Sequence, residues 1–182
     1  MSPDTVETFY GILALLAIGA IATVVVVRLL AIASPAAQGW YGAIAQLIRP
    51  NAVGMAFWIA LLATMGSLYF SEVAHFEPCK LCWYQRIAMY PLVLIIGTGI
   101  LLRDNRLKIY ALPLALAGLA IAVYHNLIYY GFIPESITPC TEGVPCNAVQ
   151  IEWLGFITIP LMGLGAFASI VLILLIYRPK EQ

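Results

Sequence analysis

Five long apolar runs constrain this chain more than any other feature of its sequence. They comprise residues 9–32, 53–69, 87–102, 109–133 and 154–177. Most approach or exceed the roughly 20 residues that an α-helix needs to cross the apolar core of a bilayer. Only 10% of the residues are charged and 63% are hydrophobic, whereas soluble domains carry about 25% charged residues. The sequence therefore predicts an all-α integral membrane protein with five spanning helices.

The first run is predicted to be a retained transmembrane helix. Its apolar stretch is longer than that of a secretory signal, and Asp4 and Glu7 precede it where a signal peptide would carry basic residues. The expected organisation is an additional N-terminal helix in residues 1–35, a cytoplasmic connection in residues 36–52, and a four-helix transmembrane bundle in residues 53–178. The connection is too short to span; it either lies along the membrane interface or forms a loop against the bundle.

Basic residues at the ends of the apolar runs predict the orientation, because they favour the cytoplasmic side. With the N-terminus outside, one set of basic residues faces the cytoplasm: Arg28, Arg49, Arg103, Arg106, Lys108, Arg178 and Lys180. Only Lys80 and Arg86 then lie on the outer side. This asymmetry predicts a multi-pass protein with its C-terminus in the cytoplasm and all four cysteines on the outer face, where disulfides persist.

All four cysteines fall in two polar connections between apolar runs, and the first pair is Cys79-Lys-Leu-Cys82. A Cys-x-x-Cys at the start of a helix can form a small disulfide ring, and the helix N-terminus lowers the pKa of a thiol there. On this argument Cys82 is the better-placed thiolate. Arg86 follows it by four residues, on the same helix face. A charge at the edge of an apolar span is costly, so Arg86 is predicted to hold a thiolate or a quinone oxygen.

The second pair, Cys140 and Cys146, lies in a connection rich in proline, glycine and polar residues. Such a connection is predicted to be exposed, and a soluble thiol can attack an exposed disulfide. A relay follows in which a partner dithiol reduces this loop pair and the loop pair reduces the Cys-x-x-Cys pair. The four cysteines allow three pairings, and a relay would visit more than one.

Other interpretations of these residues remain open at this level. Four cysteines can bind zinc, although five residues between the second pair is a loose spacing for a zinc knuckle, and no metal is predicted. A second interpretation is that both pairs are structural disulfides. A third, for Arg86 alone, is that its side chain only reaches the lipid headgroups. The net charge is zero and there is no basic patch, so no nucleic-acid partner is expected.

The segment Pro78-Cys79-Lys-Leu-Cys82-Trp-Tyr-Gln-Arg86 resembles the Cys-x-x-Cys-x-x-x-Arg signature of the DsbB-type thiol:quinone oxidoreductases. The short loop between Cys140 and Cys146 is similar to that of the BdbC-like branch of this family. Residues 153–162 are similar to the segment that opens its last helix. The resemblance covers roughly residues 53–177, so the first helix is additional to the family's four and its role is left open.

The resemblance implies an enzyme of the bacterial cytoplasmic membrane that reoxidises a DsbA-like thioredoxin-fold protein and reduces ubiquinone or menaquinone. Cys140 would form the mixed disulfide with that partner, and Cys146 would exchange with Cys79. Cys82 would face the quinone, with Arg86 orienting and polarising it. His125, near the outer end of the fourth span, corresponds to a region that approaches the quinone in the family.

Two alternatives belong to other classes. Proteins similar to vitamin K epoxide reductase use related chemistry, but their loop pair precedes the Cys-x-x-Cys, and here the order is reversed. A non-catalytic membrane assembly subunit would keep both pairs as fixed disulfides.

Overall fold

The computed structural model describes residues 3–134 and 144–178. Within these residues, five helical segments are long and apolar enough to cross a membrane, which confirms the predicted all-helical membrane architecture. The helices are α1 (Pro3–Ala33), α2 (Pro35–Ile48), α3 (Ala52–Leu68), α4 (Lys80–Leu101), α5 (Leu107–Tyr129) and α6 (Ile159–Ile176). A 3₁₀ turn (Arg49–Asn51) joins α2 to α3, and a π-helical turn (Tyr69–Val73) follows α3. Strands β1 (Glu152–Trp153) and β2 (Ile157–Thr158) form an antiparallel hairpin before α6.

Helices α3 to α6 pack around a core in which small residues alternate with large ones. Ala52, Ala56 and Ala60 repeat every four residues on α3 and are buried. Facing elements contribute larger buried residues: Leu92, Ile96, Phe167, Ile170 and Leu174. Because lipid tails are as apolar as leucine, packing rather than water exclusion holds membrane helices together, and small residues let their backbones approach closely.

Helices α5 and α6 approach each other closely at Gly118. A Cβ atom placed on Gly118 would lie 2.1 Å from Cε1 of Phe167. The Phe167 ring is fully buried in the bundle core. A side chain at position 118 would therefore force α5 and α6 apart.

We expect Gly118→Ala to destabilise the bundle by about 1–3 kcal/mol, the usual cost of overpacking a core. In detergent the Tm should fall by at least about 2 °C. Gly54→Ala on α3 is the matched control, since nothing lies within 4 Å of its Cβ position; its Tm should stay the same or rise. An unchanged Tm for Gly118→Ala would contradict the packing described above.

The bundle has a cysteine end and an opposite end. At the opposite end, Lys108 Nζ donates hydrogen bonds to the carbonyl oxygens of Leu175 (3.1 Å) and Tyr177 (3.2 Å). These bonds tie the start of α5 to the last turn of α6, where carbonyl groups have no partner within the helix. A cation there also interacts favourably with the helix dipole.

The structure differs from the predicted boundaries at several of the spans: α1 begins at Pro3 rather than at residue 9, and α5 ends at Tyr129 rather than at residue 133. The last helix begins at Ile159 rather than at residue 154, because the β1–β2 hairpin occupies the preceding residues. Thr158 caps α6 by accepting a hydrogen bond from the Leu161 N–H, and Pro160 stands in its first turn. Helix α4 begins at Lys80, seven residues before the apolar run, since the Cys-x-x-Cys forms its first turn.

The predicted connection of residues 36–52 is largely helix α2. It packs against α1, and the Arg28 guanidinium lies 4.9 Å from the centre of the Tyr41 ring. Trp40 and Leu47 are exposed, as expected for a helix with an apolar surface outside the bundle. Its place at the membrane interface stays a prediction, as do the domain boundaries.

Candidate active site: a dithiol between two cavities

Cys79 and Cys82 form the first turn of α4. Cys79 is the N-cap residue, and its sulfur accepts a hydrogen bond from the Cys82 backbone N–H at 3.4 Å. The two Sγ atoms are 3.0 Å apart, and both cysteines are free thiols. Cys79 is buried and Cys82 is partly exposed. The helix start thus holds a dithiol close to the geometry of a disulfide ring.

His125 projects from α5 against this dithiol and is buried. Its Nε2 lies 3.6 Å from Cys79 Sγ and 3.1 Å from the carbonyl oxygen of Cys146. Gln85 Nε2 donates a hydrogen bond to Nδ1 at 3.0 Å, which leaves Nε2 as the N–H of a neutral ring. Gly163 makes room for Gln85, because a Cβ there would lie 2.6 Å from Gln85 Oε1.

These contacts favour the thiolate form of Cys79. The hydrogen bond from the Cys82 side chain lowers the pKa of Cys79 most, His125 lowers it further, and burial opposes both. The sequence argument favoured Cys82 as the thiolate. The structure instead directs the Cys82 N–H at the Cys79 sulfur, because an N-cap side chain receives the unpaired N–H groups of the first helical turn.

We expect His125→Ala to raise the pKa of Cys79, because the thiolate loses the hydrogen bond from His125. A hydrogen bond to a charged group contributes about 1.5–3 kcal/mol, so the alkylation rate of Cys79 should reach half-maximum about one to two pH units higher. Mass spectrometry would follow alkylation at each cysteine. His75→Ala is the control, since the chain has two histidines and His75 is exposed. The same pH profile in both variants would contradict a role of His125 at the thiolate.

Cys146 lies next to the dithiol. It is buried and disulfide-bonded, and its sulfur, the Cys79 sulfur and a ring nitrogen of His125 all lie within 4.8 Å of one another. Such a group of atoms is also compatible with a metal site, but the Cys146 sulfur is held in a disulfide and is not a thiolate. The arrangement suits exchange between the Cys79 thiolate and the Cys146 sulfur. Cys140 lies outside the described residues.

A large apolar cavity of about 460 Å³ borders the dithiol at Cys82. Cys82, Gln85 and Arg86 line it at the cysteine end, and apolar residues of α1, α3 and α6 line the rest. Cys79, His125 and Cys146 line a second, smaller cavity of about 20 Å³. Cys82 lines both cavities. It therefore stands between the disulfide of Cys146 and the apolar cavity.

Arg86 lines the same cavity as Cys82, as their spacing predicts. Its Nη2 donates a hydrogen bond to the carbonyl oxygen of Ser67 at 3.1 Å, and the guanidinium lies 5.1 Å from the Trp83 ring centre. Its Nε is buried and has no hydrogen-bond partner among the described residues. An unpaired donor of this kind costs about 1–3 kcal/mol, so the site fits a ligand with an acceptor oxygen.

The structure brings Cys79, Cys82, Cys146 and His125 together, and it places Arg86 with Cys82. It does not place His125 in the apolar cavity, since His125 is not among the described residues that line it. The predicted contact of His125 with a quinone therefore stays a prediction. Sequence reasoning missed Gln85 and Ser67. A signal for Gln85 was present, because a neutral amide three residues after Cys82 shares its helix face.

Comparisons with known proteins point to one family. The family model described as disulfide bond formation protein DsbB matches residues 49–177. The chain is 49% identical to disulfide bond formation protein C of Bacillus subtilis over 130 residues, which cover 70% of this chain and 93% of that protein. It is 42% identical to a probable disulfide formation protein of Deinococcus radiodurans over 135 residues, covering 69% and 88%. No solved structure matches the chain significantly.

Proposed function

Since the chain belongs to the DsbB family of disulfide bond formation proteins, we propose that it is a thiol:quinone oxidoreductase that reoxidises a DsbA-like thioredoxin-fold protein. The family supports a membrane disulfide oxidase. The dithiol partner and the quinone acceptor are the proposed part. Both cysteine pairs are proposed to lie on the outer side of the bacterial cytoplasmic membrane, with the N-terminus outside and the C-terminus in the cytoplasm, as the basic residues predict.

The first proposed step regenerates the partner's disulfide. The partner's dithiol attacks the disulfide of Cys146, with Cys140 as the proposed point of attack, and two electrons pass to the loop pair. The partner leaves oxidised, and the loop cysteines become thiols. The position of Cys140 in this step rests on the family resemblance.

The second proposed step passes the electrons to the Cys-x-x-Cys pair. The Cys146 thiolate attacks the Cys79 sulfur of an oxidised Cys79–Cys82 disulfide, and the Cys82 sulfur leaves with an electron pair. The Cys140 thiolate is then proposed to attack the Cys146 sulfur, which restores the loop disulfide and releases the Cys79 thiolate, so that Cys79 and Cys82 are left as a dithiol. The support is the approach of the Cys79 and Cys146 sulfurs within 4.8 Å and the hydrogen bond of His125 to Cys79, which stabilises the thiolate.

The position of Cys82 carries the quinone part of the proposal. Cys82 lines both cavities: the small one, which Cys146 also lines, and the large apolar one, which Arg86 also lines. A bound quinone supplies a two-electron, two-proton acceptor, which balances the oxidation of the dithiol to a disulfide. The unpaired Nε of Arg86 is suited to orient a carbonyl oxygen beside Cys82. The apolar lining excludes water and strengthens that interaction.

The test is a reconstitution with purified protein, a reduced DsbA-like partner and either ubiquinone or menaquinone. We expect stoichiometric loss of partner thiols and reduction of one of the quinones, with neither change when the protein or the quinone is omitted. A parallel reaction with a dithiol donor and a vitamin K epoxide should give no product. Partner oxidation that proceeds equally well without quinone would refute the proposed acceptor.

A non-catalytic subunit with two fixed disulfides is less consistent with this chain, because Cys79 and Cys82 are free thiols in the structure. Alkylation trapping separates the two cases. An enzyme should show alkylated Cys79 and Cys82 when quinol accumulates and protected ones when quinone does.

A further inference from the structure

Helix α1 has no counterpart in the family match, which begins at residue 49, yet it packs against the bundle at the active site. Tyr10 Oη donates a hydrogen bond to the carbonyl oxygen of Leu62 at 3.1 Å. The Tyr10 ring covers Gly66, where a Cβ would lie 2.6 Å from Cε1. Gly11 is covered in the same way by the Trp153 ring, at 2.5 Å. These contacts dock the first turns of α1 onto α3 and the hairpin.

One face of α1 forms a wall of the apolar cavity. The residues on this face repeat every three or four positions, as one side of a helix requires, and they include Tyr10, Leu13, Ala14, Ala17, Ala20 and Val24. From Tyr10 to Val24 the wall is about 21 Å long at 1.5 Å per residue. Alanines near its middle leave space between α1 and the opposite helices.

The charged side chain and the thiol that line the cavity lie at one end. Cys82, Gln85 and Arg86 lie at the end near Tyr10, next to Ser67, and Arg86 Nε is unpaired there among the described residues. Towards Ala20 and Val24 the opposite wall is apolar, with Met55 and Ile59 of α3. This shape fits an amphiphile whose oxygen-bearing ring lies at the cysteine end and whose extended hydrocarbon chain follows α1.

We propose that α1 is part of the quinone-binding site, and that its Leu13–Val24 face binds the polyprenyl tail of the quinone. This inference rests on the proposed quinone reduction and adds to it the element that recognises the tail. Helix α1 then contributes to the choice between quinones by their tails, whereas Arg86 and Cys82 act on the ring. Because lipid is as apolar as the cavity, tail binding is stabilised by van der Waals packing against the docked face of α1 rather than by exclusion of water.

The test compares a polyprenyl quinone with the same ring bearing a methyl group in place of the tail. Ala20→Phe places a ring in the tail region, about 15 Å along α1 from Tyr10. We expect the apparent KM for the tailed quinone to rise about tenfold, because the introduced ring takes the place of the tail and removes its packing against α1. The KM for the tail-less quinone should stay unchanged. Ala22→Phe is the control, because Ala22 is exposed and is not among the described residues lining the cavity.

Leu13→Ala provides a second variant in case Ala20→Phe lowers the Tm. It removes apolar contact without adding bulk, and it should raise the KM for the tailed quinone only. Equal KM values for the tailed quinone in wild type and in folded variants would overturn the inference, and so would an equal rise for both quinones. Failure of the wild-type protein to reduce either quinone would instead overturn the proposed function.

Discussion

Replacing Cys82 with serine is expected to stop quinone reduction and to trap a disulfide between Cys79 and Cys146. Cys82 lies between the two cavities, so without its sulfur the Cys79–Cys82 disulfide cannot form. The remaining Cys79 thiol lies within 4.8 Å of the Cys146 sulfur and can attack it, releasing the other sulfur of that disulfide. Turnover should fall by at least about a thousandfold, because Cys82 is the one cysteine among the described residues that lines the cavity.

Peptide mapping under non-reducing conditions would identify the trapped Cys79–Cys146 disulfide. Cys79→Ser is the matched comparison: it should also be inactive, but it cannot form this species. Turnover of Cys82→Ser within about twofold of wild type would be incompatible with the proposed path. Loss of turnover without the trapped disulfide would mean that Cys146 does not exchange with Cys79.

Replacing Arg86 with alanine is expected to raise the apparent KM for quinone about tenfold or more. The guanidinium lines the cavity beside Cys82, and its buried Nε has no hydrogen-bond partner in the part of the chain that the structure describes. A hydrogen bond from a charged donor contributes about 1.5–3 kcal/mol, and 1.4 kcal/mol is a factor of ten. Arg86→Lys should restore part of this loss, because it keeps the charge but not the planar fork of donors.

The measurement is the initial rate of quinone reduction at several quinone concentrations, with oxidation of the dithiol by a small soluble oxidant as a second readout. That second rate should not change in Arg86→Ala, since it does not use the cavity. Arg103→Ala is the control, because Arg103 is exposed between α4 and α5, away from the cysteine end. An unchanged KM in Arg86→Ala would remove Arg86 from the quinone site.

Much of the fold was predictable from the sequence because each apolar run carries its own signal. The bilayer requires about 20 apolar residues per helix, so the number of spans and their approximate positions follow from local composition. The boundaries near the cysteines did not follow. The Cys-x-x-Cys turn belongs to α4 and the β1–β2 hairpin precedes α6, since capping and hairpin pairing depend on hydrogen bonds that hydropathy does not encode.

The active site was predictable to the extent that its parts lie on one helix. Helical spacing placed Arg86 with Cys82, and in the structure both residues line one cavity. His125 was assigned to the quinone by resemblance, whereas the structure places it against Cys79 and Gln85. His125 and Cys79 are 46 positions apart in the sequence. No local pattern specifies which face of α5 meets α4.

Periodicity, apolar length and spacing act within single segments, and they are enough to specify a helical membrane protein with a Cys-x-x-Cys one turn before an arginine. Three features of the site depend instead on tertiary packing: the hydrogen bonds that favour a thiolate at Cys79, the Cys146 sulfur beside it, and the wall that α1 forms along the apolar cavity. These features depend on how α1, α4, α5 and α6 pack together. Packing brings side chains from distant segments within hydrogen-bond or van der Waals distance, where the chemistry of the site is set.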